Sequence, residues 1–195
     1  MASSGTRRGS IVEAMVRVAG REGYRALSVA DVIAEADVSR TTFYKHFGDK
    51  HECFLAAYGL ATARVRKAVE RGCAGQDSWL EQARGGLVAL VDLFAADPKL
   101  ARTVVVEAAA GGAETRRRQL ELIGLLAQRL EQGRDVGAPG LPAGTPLMAV
   151  SAVNGLLFEE IKSGRAAELP VLLPEFLFAL LVPFLGPAEA VEAMR

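Results

Sequence analysis

Apolar residues recur at helical spacing along nearly the whole chain, and no stretch alternates with the two-residue period of a half-buried strand. Ile11, Ala14, Met15, Val18 and Ala19 make a first stripe, with Ser10 placed to cap its start and Gly23 to supply the left-handed residue that ends a helix. Ser28 followed by Asp31 has the form of a capping box, after which Val29, Val32, Ile33 and Ala36 share one face for barely two turns. Asp37 and Val38 make a turn and Ser39 caps again. Phe43 and Phe47 then lie on one face of a third helix that ends at Gly48 and Asp49. Two short helices joined by so brief a turn must cross steeply.

From Lys50 to about Arg71 the pattern runs unbroken through Phe54, Leu55, Tyr58, Ala61, Val65 and Val69, which predicts one long helix linking two domains. Further helices are expected from Ser78 to Ala96, from Pro98 to about Val106, over Thr115–Gln132, and from Pro146 to about Ser163, with a last one inside Leu169–Leu185. The glycines and prolines between Gly133 and Thr145 mark a loop. Residues 1–9 are polar, carry Arg7 and Arg8, and read as a flexible basic arm. The expected fold is therefore all-α with about nine helices: a three-helix head over residues 1–49, joined by a helix over 50–71 to a helical body that completes residues 50–195.

Composition narrows the class without naming a function. Half of the 195 residues are apolar, while Lys+Arg and Asp+Glu stand at 23 each, so a globular protein is expected and a polybasic or disordered one is not. Zero net charge argues neither for nor against nucleic acid, since a local basic patch is enough to meet phosphates. Two cysteines fit a reducing cytoplasm, and no signal peptide is apparent. Leu169–Leu185 is apolar enough to resemble a membrane span, but Pro174, Glu175 and Pro183 argue against one, and no membrane partner is expected.

The chemistry concentrates between Ser28 and Lys50. With Phe43 and Phe47 turned inward, Arg40, Thr41, Thr42, Tyr44, Lys45 and His46 occupy the rest of the third helix, and no acid lies between Ser39 and Phe47. This is what a helix-turn-helix needs in order to bind duplex DNA. Arg40 suits guanine, and the methyls of Thr41 and Thr42 suit thymine methyls in the major groove. Tyr44, Lys45, His46 and Lys50 suit phosphates, and the capped helix starts at Ser28 and Ser39 add backbone contacts.

The string from Ala30 through Phe47, ADVIAEADVSRTTFYKHF, followed by Asp49-Lys50, resembles the signature of the TetR family of transcriptional regulators. The resemblance covers about the first sixty residues. It implies a cytoplasmic homodimer that binds palindromic double-stranded operator DNA, acts as a repressor, and responds to a small-molecule effector in its C-terminal domain. Val29 and Ala30 stand where many relatives carry polar residues, which implies a smaller DNA contribution from that helix.

In such a dimer the two recognition helices must sit about 34–36 Å apart, so an effector need only alter that spacing. The last two predicted helices hold more apolar residues than one face can use, and a four-helix dimer interface through Leu156, Leu157, Ile161, Phe176, Leu177 and Leu180 is expected. Candidate positions for a largely apolar ligand are Trp79, Leu87, Phe94, Val105 and Leu122, with Glu107 and Asn154 to orient it. A carboxylate at Glu107 would need a partner if buried.

Other constellations carry less. His46 and His51 are five apart across a Gly-Asp break, where two helical metal ligands want four, so no metal is expected even with Cys53 nearby. Cys53 and Cys73 straddle a helix on the order of 30 Å long and cannot pair within one chain. Arg116, Arg117 and Arg118 point about 100° apart and read as a solvated face. No catalytic triad, phosphate-cradling loop or carboxylate pair is found, so neither an enzyme nor a cofactor is expected.

Overall fold

The computed structural model describes residues 4–194. Among them are eleven α-helices and one 3-10 helix, with no strand. The helices are α1 (Ser4–Glu22), α2 (Val29–Ala36), α3 (Arg40–His46), α4 (Lys50–Cys73), α5 (Trp79–Ala96), α6 (Pro98–Val105), α7 (Ala113–Gln128), α8 (Gly133–Val136), α9 (Thr145–Lys162), α10 (Leu173–Leu185) and α11 (Pro187–Ala193), with the 3-10 helix at Ala166–Leu172. The all-α expectation holds, and the elements beyond nine are short. Helix α8 occupies part of the expected Gly133–Thr145 loop as a single turn, and α11 follows Gly186 through a proline start.

The start of the first helix differs from the sequence reading. Helix α1 begins at Ser4 rather than Ser10, so Arg7 and Arg8 ride on a helix and not on an arm; residues 1–3 of that arm lie outside the described residues. Inside Leu169–Leu185 lies one α-helix, as expected, and it fills only part of the apolar run. Pro174 lacks an N–H and is accommodated in a first turn, so the α-helix restarts at Leu173 after a 3-10 segment. The stretch Ala166–Leu185 is long and apolar enough to cross a membrane by length and composition, yet Phe176, Leu177, Leu180, Leu181 and Phe184 are buried within the fold.

The chain packs as two units. The first takes residues up to Arg64 together with Asp97–Gln119, and the second takes Val65–Ala96 together with residues from Leu120 onward. The boundary expected at residue 49 thus falls inside the first unit, because α6 docks on α1. A Cβ on Gly20 would overlap the Lys99 backbone, so only glycine lets the helices meet there. Thr103 Oγ1 donates to the Val16 carbonyl at 3.1 Å across the same contact.

In the first unit Ile11, Met15, Val18, Leu27, Val32, Phe43, Phe47, Phe54 and Tyr58 are buried side chains of one core. Each buried aliphatic or aromatic side chain stabilises the fold by about 1.5–3 kcal/mol. The turn after α1 is made by Gly23 at φ 84°, as its place in the sequence predicts. Arg17 and Arg21 of α1 both bind Glu35 of α2, at 2.6 and 3.0 Å, which orients α2; the two arginines hold the Glu35 carboxyl below its usual range.

In the second unit α9 packs along α10, and α5 packs along the 3-10 segment and α10. Trp79 meets Phe184 edge to face at 5.0 Å. Arg84 donates to the Met194 carbonyl at 2.7 Å, holding the end of α11.

Candidate functional site

The local chemistry of Ser28–Phe47 produces the helix pair that the sequence predicts. Ser28 Oγ accepts from the Asp31 N–H at 3.3 Å while the Asp31 carboxylate accepts from the Ser28 N–H at 2.7 Å, a complete capping box. Hydrogen bonds from the Ser28 side chain and backbone hold the Asp31 carboxyl below its usual range. Asp37 ends α2 in the left-handed region at φ 51°, a conformation that short polar side chains tolerate. Ser39 Oγ then accepts from the Thr42 N–H at 3.1 Å and starts α3.

Helix α3 is anchored by its inner face. Phe43 is fully buried, and its ring lies 5.8 Å from that of Phe47. Opposite them, Arg40, Thr41, Tyr44 and Lys45 are exposed and His46 is half-buried. The Arg40 guanidinium lies 5.8 Å from the centre of the Tyr44 ring, a cation–π distance that braces its side chain. Thr42 is less free than its neighbours, because its hydroxyl lies 2.9 Å from that of Ser39.

Lys50, expected at a phosphate, makes contacts within the protein. Its ammonium donates to the carbonyls of Tyr24 at 3.1 Å and Leu27 at 2.9 Å, and sits 4.7 Å from the Tyr24 ring centre. It braces the turn between α1 and α2, and two of its three donors are spent inside the protein. Arg8 was missed as a candidate: on α1 its guanidinium lies 4.9 Å from the Phe47 ring, next to the end of α3. The only sequence signal for it was its charge.

The second unit holds a cavity of about 290 Å³, lined among others by Val69, Cys73, Leu87, Leu90, Arg129 and Val153. Of the candidate ligand positions only Leu87 is among its lining residues. Trp79, Phe94 and Leu122 are buried in packing, and Asn154 is half-buried on α9 outside the lining. Val105 and Glu107 belong to the first unit, where the Glu107 carboxylate is buried and accepts from the Tyr24 N–H at 2.9 Å and from Arg102 Nε at 3.1 Å. Its partner is backbone and arginine, so its role is internal.

The expected interface residues divide in the same way. Leu157, Ile161, Phe176, Leu177 and Leu180 are buried inside their own unit, and only Leu156, 43% exposed, faces outward. The outward stripe of these two helices is instead Met148, Ala152, Gly155 and Leu156 on α9 and Pro174, Glu175 and Phe178 on α10.

Residues 11–57 match the model of the bacterial regulatory proteins of the tetR family. The chain carries a TetR-family helix-turn-helix head. It is a DNA-binding transcription regulator with a helix-turn-helix head. No curated protein matches the chain in sequence. Among solved structures, the fatty acid degradation regulator FadR from Bacillus halodurans superposes with a TM-score of 0.78 at 18% identity, over 91% of this chain and 94% of that one. FadR from Bacillus subtilis, solved in complex with stearoyl-CoA, gives 0.76 at 18% identity over 91% and 98%. TylP, a TetR regulator from Streptomyces fradiae, gives 0.73 at 21% identity over 96% and 90%. At such identities the likeness of this chain to them is one of fold.

Proposed function

We propose that this regulator is a cytoplasmic repressor that binds palindromic operator DNA as a homodimer and responds to a small, largely apolar ligand. The observation that carries the reading is the exposed face of α3, where Arg40, Thr41, Tyr44 and Lys45 stand clear of the core on a helix pinned by Phe43. Arg40 and Thr41 read base edges, while Tyr44, Lys45, His46 and Arg8 hold phosphates. Ser28 and Ser39 serve first as caps and Thr42 holds the Ser39 hydroxyl, and all three meet the backbone from the helix starts. Lys50 acts by fixing the turn behind them.

The dimer forms through the outward stripe of α9 and α10. Met148, Leu156 and Phe178 supply apolar area there, and Ala152 and Gly155 let a second pair of helices approach closely. The cavity of the second unit is the effector site, since aliphatic walls around a volume of about 290 Å³ favour an apolar ligand.

Fragments selected from random duplexes by the full-length protein test the reading. A palindromic consensus bound with a steep salt dependence is the expected result. Salt-independent binding, or no selection of any sequence, would refute it.

A further inference from the structure

The walls of the second-unit cavity are aliphatic. Val69 of α4, Leu87 and Leu90 of α5, Val153 of α9 and Leu180 of α10 supply them, and no aromatic ring is among the lining residues. A flat aromatic ligand finds nothing to stack on, whereas a flexible alkyl chain meets methyl groups on every side. The volume of about 290 Å³ is nearly twice the ~150 Å³ that admits a benzene ring. A short alkyl chain fits that space.

Apart from Gln82 of α5, the lining amide and charged side chains come from one stretch of chain. Gln128, Arg129 and Gln132, all exposed and all from the end of α7 and the turn after it, form the mouth. A second hollow of about 250 Å³ shares Leu126, Gln128 and Arg129 with the first and adds Arg66 and Glu70. At this shared border Arg129 Nη2 donates to Glu70 Oε1 at 3.0 Å, and Arg66 has no hydrogen-bond or ion-pair partner among the described residues. Two guanidinium groups against one carboxylate line this second hollow, which borders the cavity at Arg129. The Arg129–Glu70 pair is largely exposed, so little holds it against a competing anion.

We infer that this cavity binds a small aliphatic carboxylate, with its alkyl chain against the leucine and valine walls and its carboxylate taking Arg129 from Glu70. The chain supplies the affinity and the arginine the choice of head group, because planar guanidinium pairs with carboxylate through two parallel hydrogen bonds. The inference rests on the proposed ligand response and narrows it to one class of effector.

Octanoate and n-octanol share an alkyl chain and differ in charge, so calorimetric titration of the full-length protein with each separates tail from head. Octanoate is expected to bind about tenfold more tightly than octanol, the scale of one charge-assisted hydrogen bond near the surface. Arg129→Gln brings octanoate to the octanol level and leaves octanol unchanged. Glu70→Gln removes the competitor and strengthens octanoate binding, a gain that misfolding cannot produce. Both probes slow alkylation of Cys73, whose side chain lines the cavity. Equal binding of the two probes, a preference that survives Arg129→Gln, or no binding of either would overturn the assignment. Octanoate that binds in this pattern but leaves operator affinity unchanged would sustain the assignment and refute the ligand response of the proposed function.

Discussion

The Glu107 carboxylate, buried just past the end of α6, accepts a hydrogen bond at 2.9 Å from the backbone N–H of Tyr24 in the turn between α1 and α2. From the other side of that turn, Lys50 donates to the carbonyls of Tyr24 and Leu27. A turn of six residues ahead of the helix-turn-helix, Gly23 to Ser28, is thus held by one anion and one cation from distant parts of the sequence. Glu107→Ala removes a charge-assisted hydrogen bond and is expected to cost about 1.5–3 kcal/mol. Arg102, its other partner, is partly exposed and can turn to water, so no buried charge is stranded. Urea unfolding measures the loss, and duplex affinity should fall with it.

Lys50 distinguishes a brace from a phosphate contact. As a brace, Lys50→Met lowers stability by about 1–3 kcal/mol, because two part-buried carbonyls lose their donor. The salt slope of DNA binding stays unchanged. A slope reduced by about one would instead place the ammonium on a phosphate.

On α3 the two kinds of contact separate by selectivity. Arg40→Ala should relax preference at particular base pairs by about 1–3 kcal/mol, as expected for loss of an arginine–guanine pair. Lys45→Ala should weaken all duplexes alike and reduce the salt slope by about one. Competition assays with single-base operator variants resolve them.

The outward stripe of α9 and α10 predicts the state of the molecule in solution. Phe178→Glu, on a side chain 37% exposed, should leave thermal unfolding of the protomer nearly intact and shift sedimentation from dimer to monomer. Leu157→Glu should instead unfold the second unit, because Leu157 is buried within it.

Cys53 gives a pH dependence. Burial pushes its thiol up from an ordinary value near 9 to about 12. Because the folded pKa lies above the unfolded one, its contribution is fully present below pH 9 and is lost as pH rises toward 12. Wild-type stability should therefore fall more steeply than that of Cys53→Ala across this window. Cys53 should also resist alkylation in the folded protein at neutral pH, whereas half-buried Cys73 reacts.

What the sequence determined by itself was local. Ser28–Asp31 and Ser39 declare their helix starts through bonds spanning three residues, and Phe43 and Phe47 declare an inward face through their spacing of four. The helix-turn-helix was legible for that reason, and so was the all-α class. The tertiary structure decided everything that depends on which face meets which partner. Helices α9 and α10 are apolar all round, so periodicity cannot say that Leu157 and Leu177 turn inward while Met148 and Phe178 face out. Lys50 reads as a basic residue beside a recognition helix until the fold brings the Tyr24 and Leu27 carbonyls to it. The cavity escaped for the same reason, since Val69, Leu90, Arg129 and Val153 converge from separate helices and turns with no shared motif. Contacts within one turn of helix are written in the order of residues, whereas contacts between helices depend on how their faces pack.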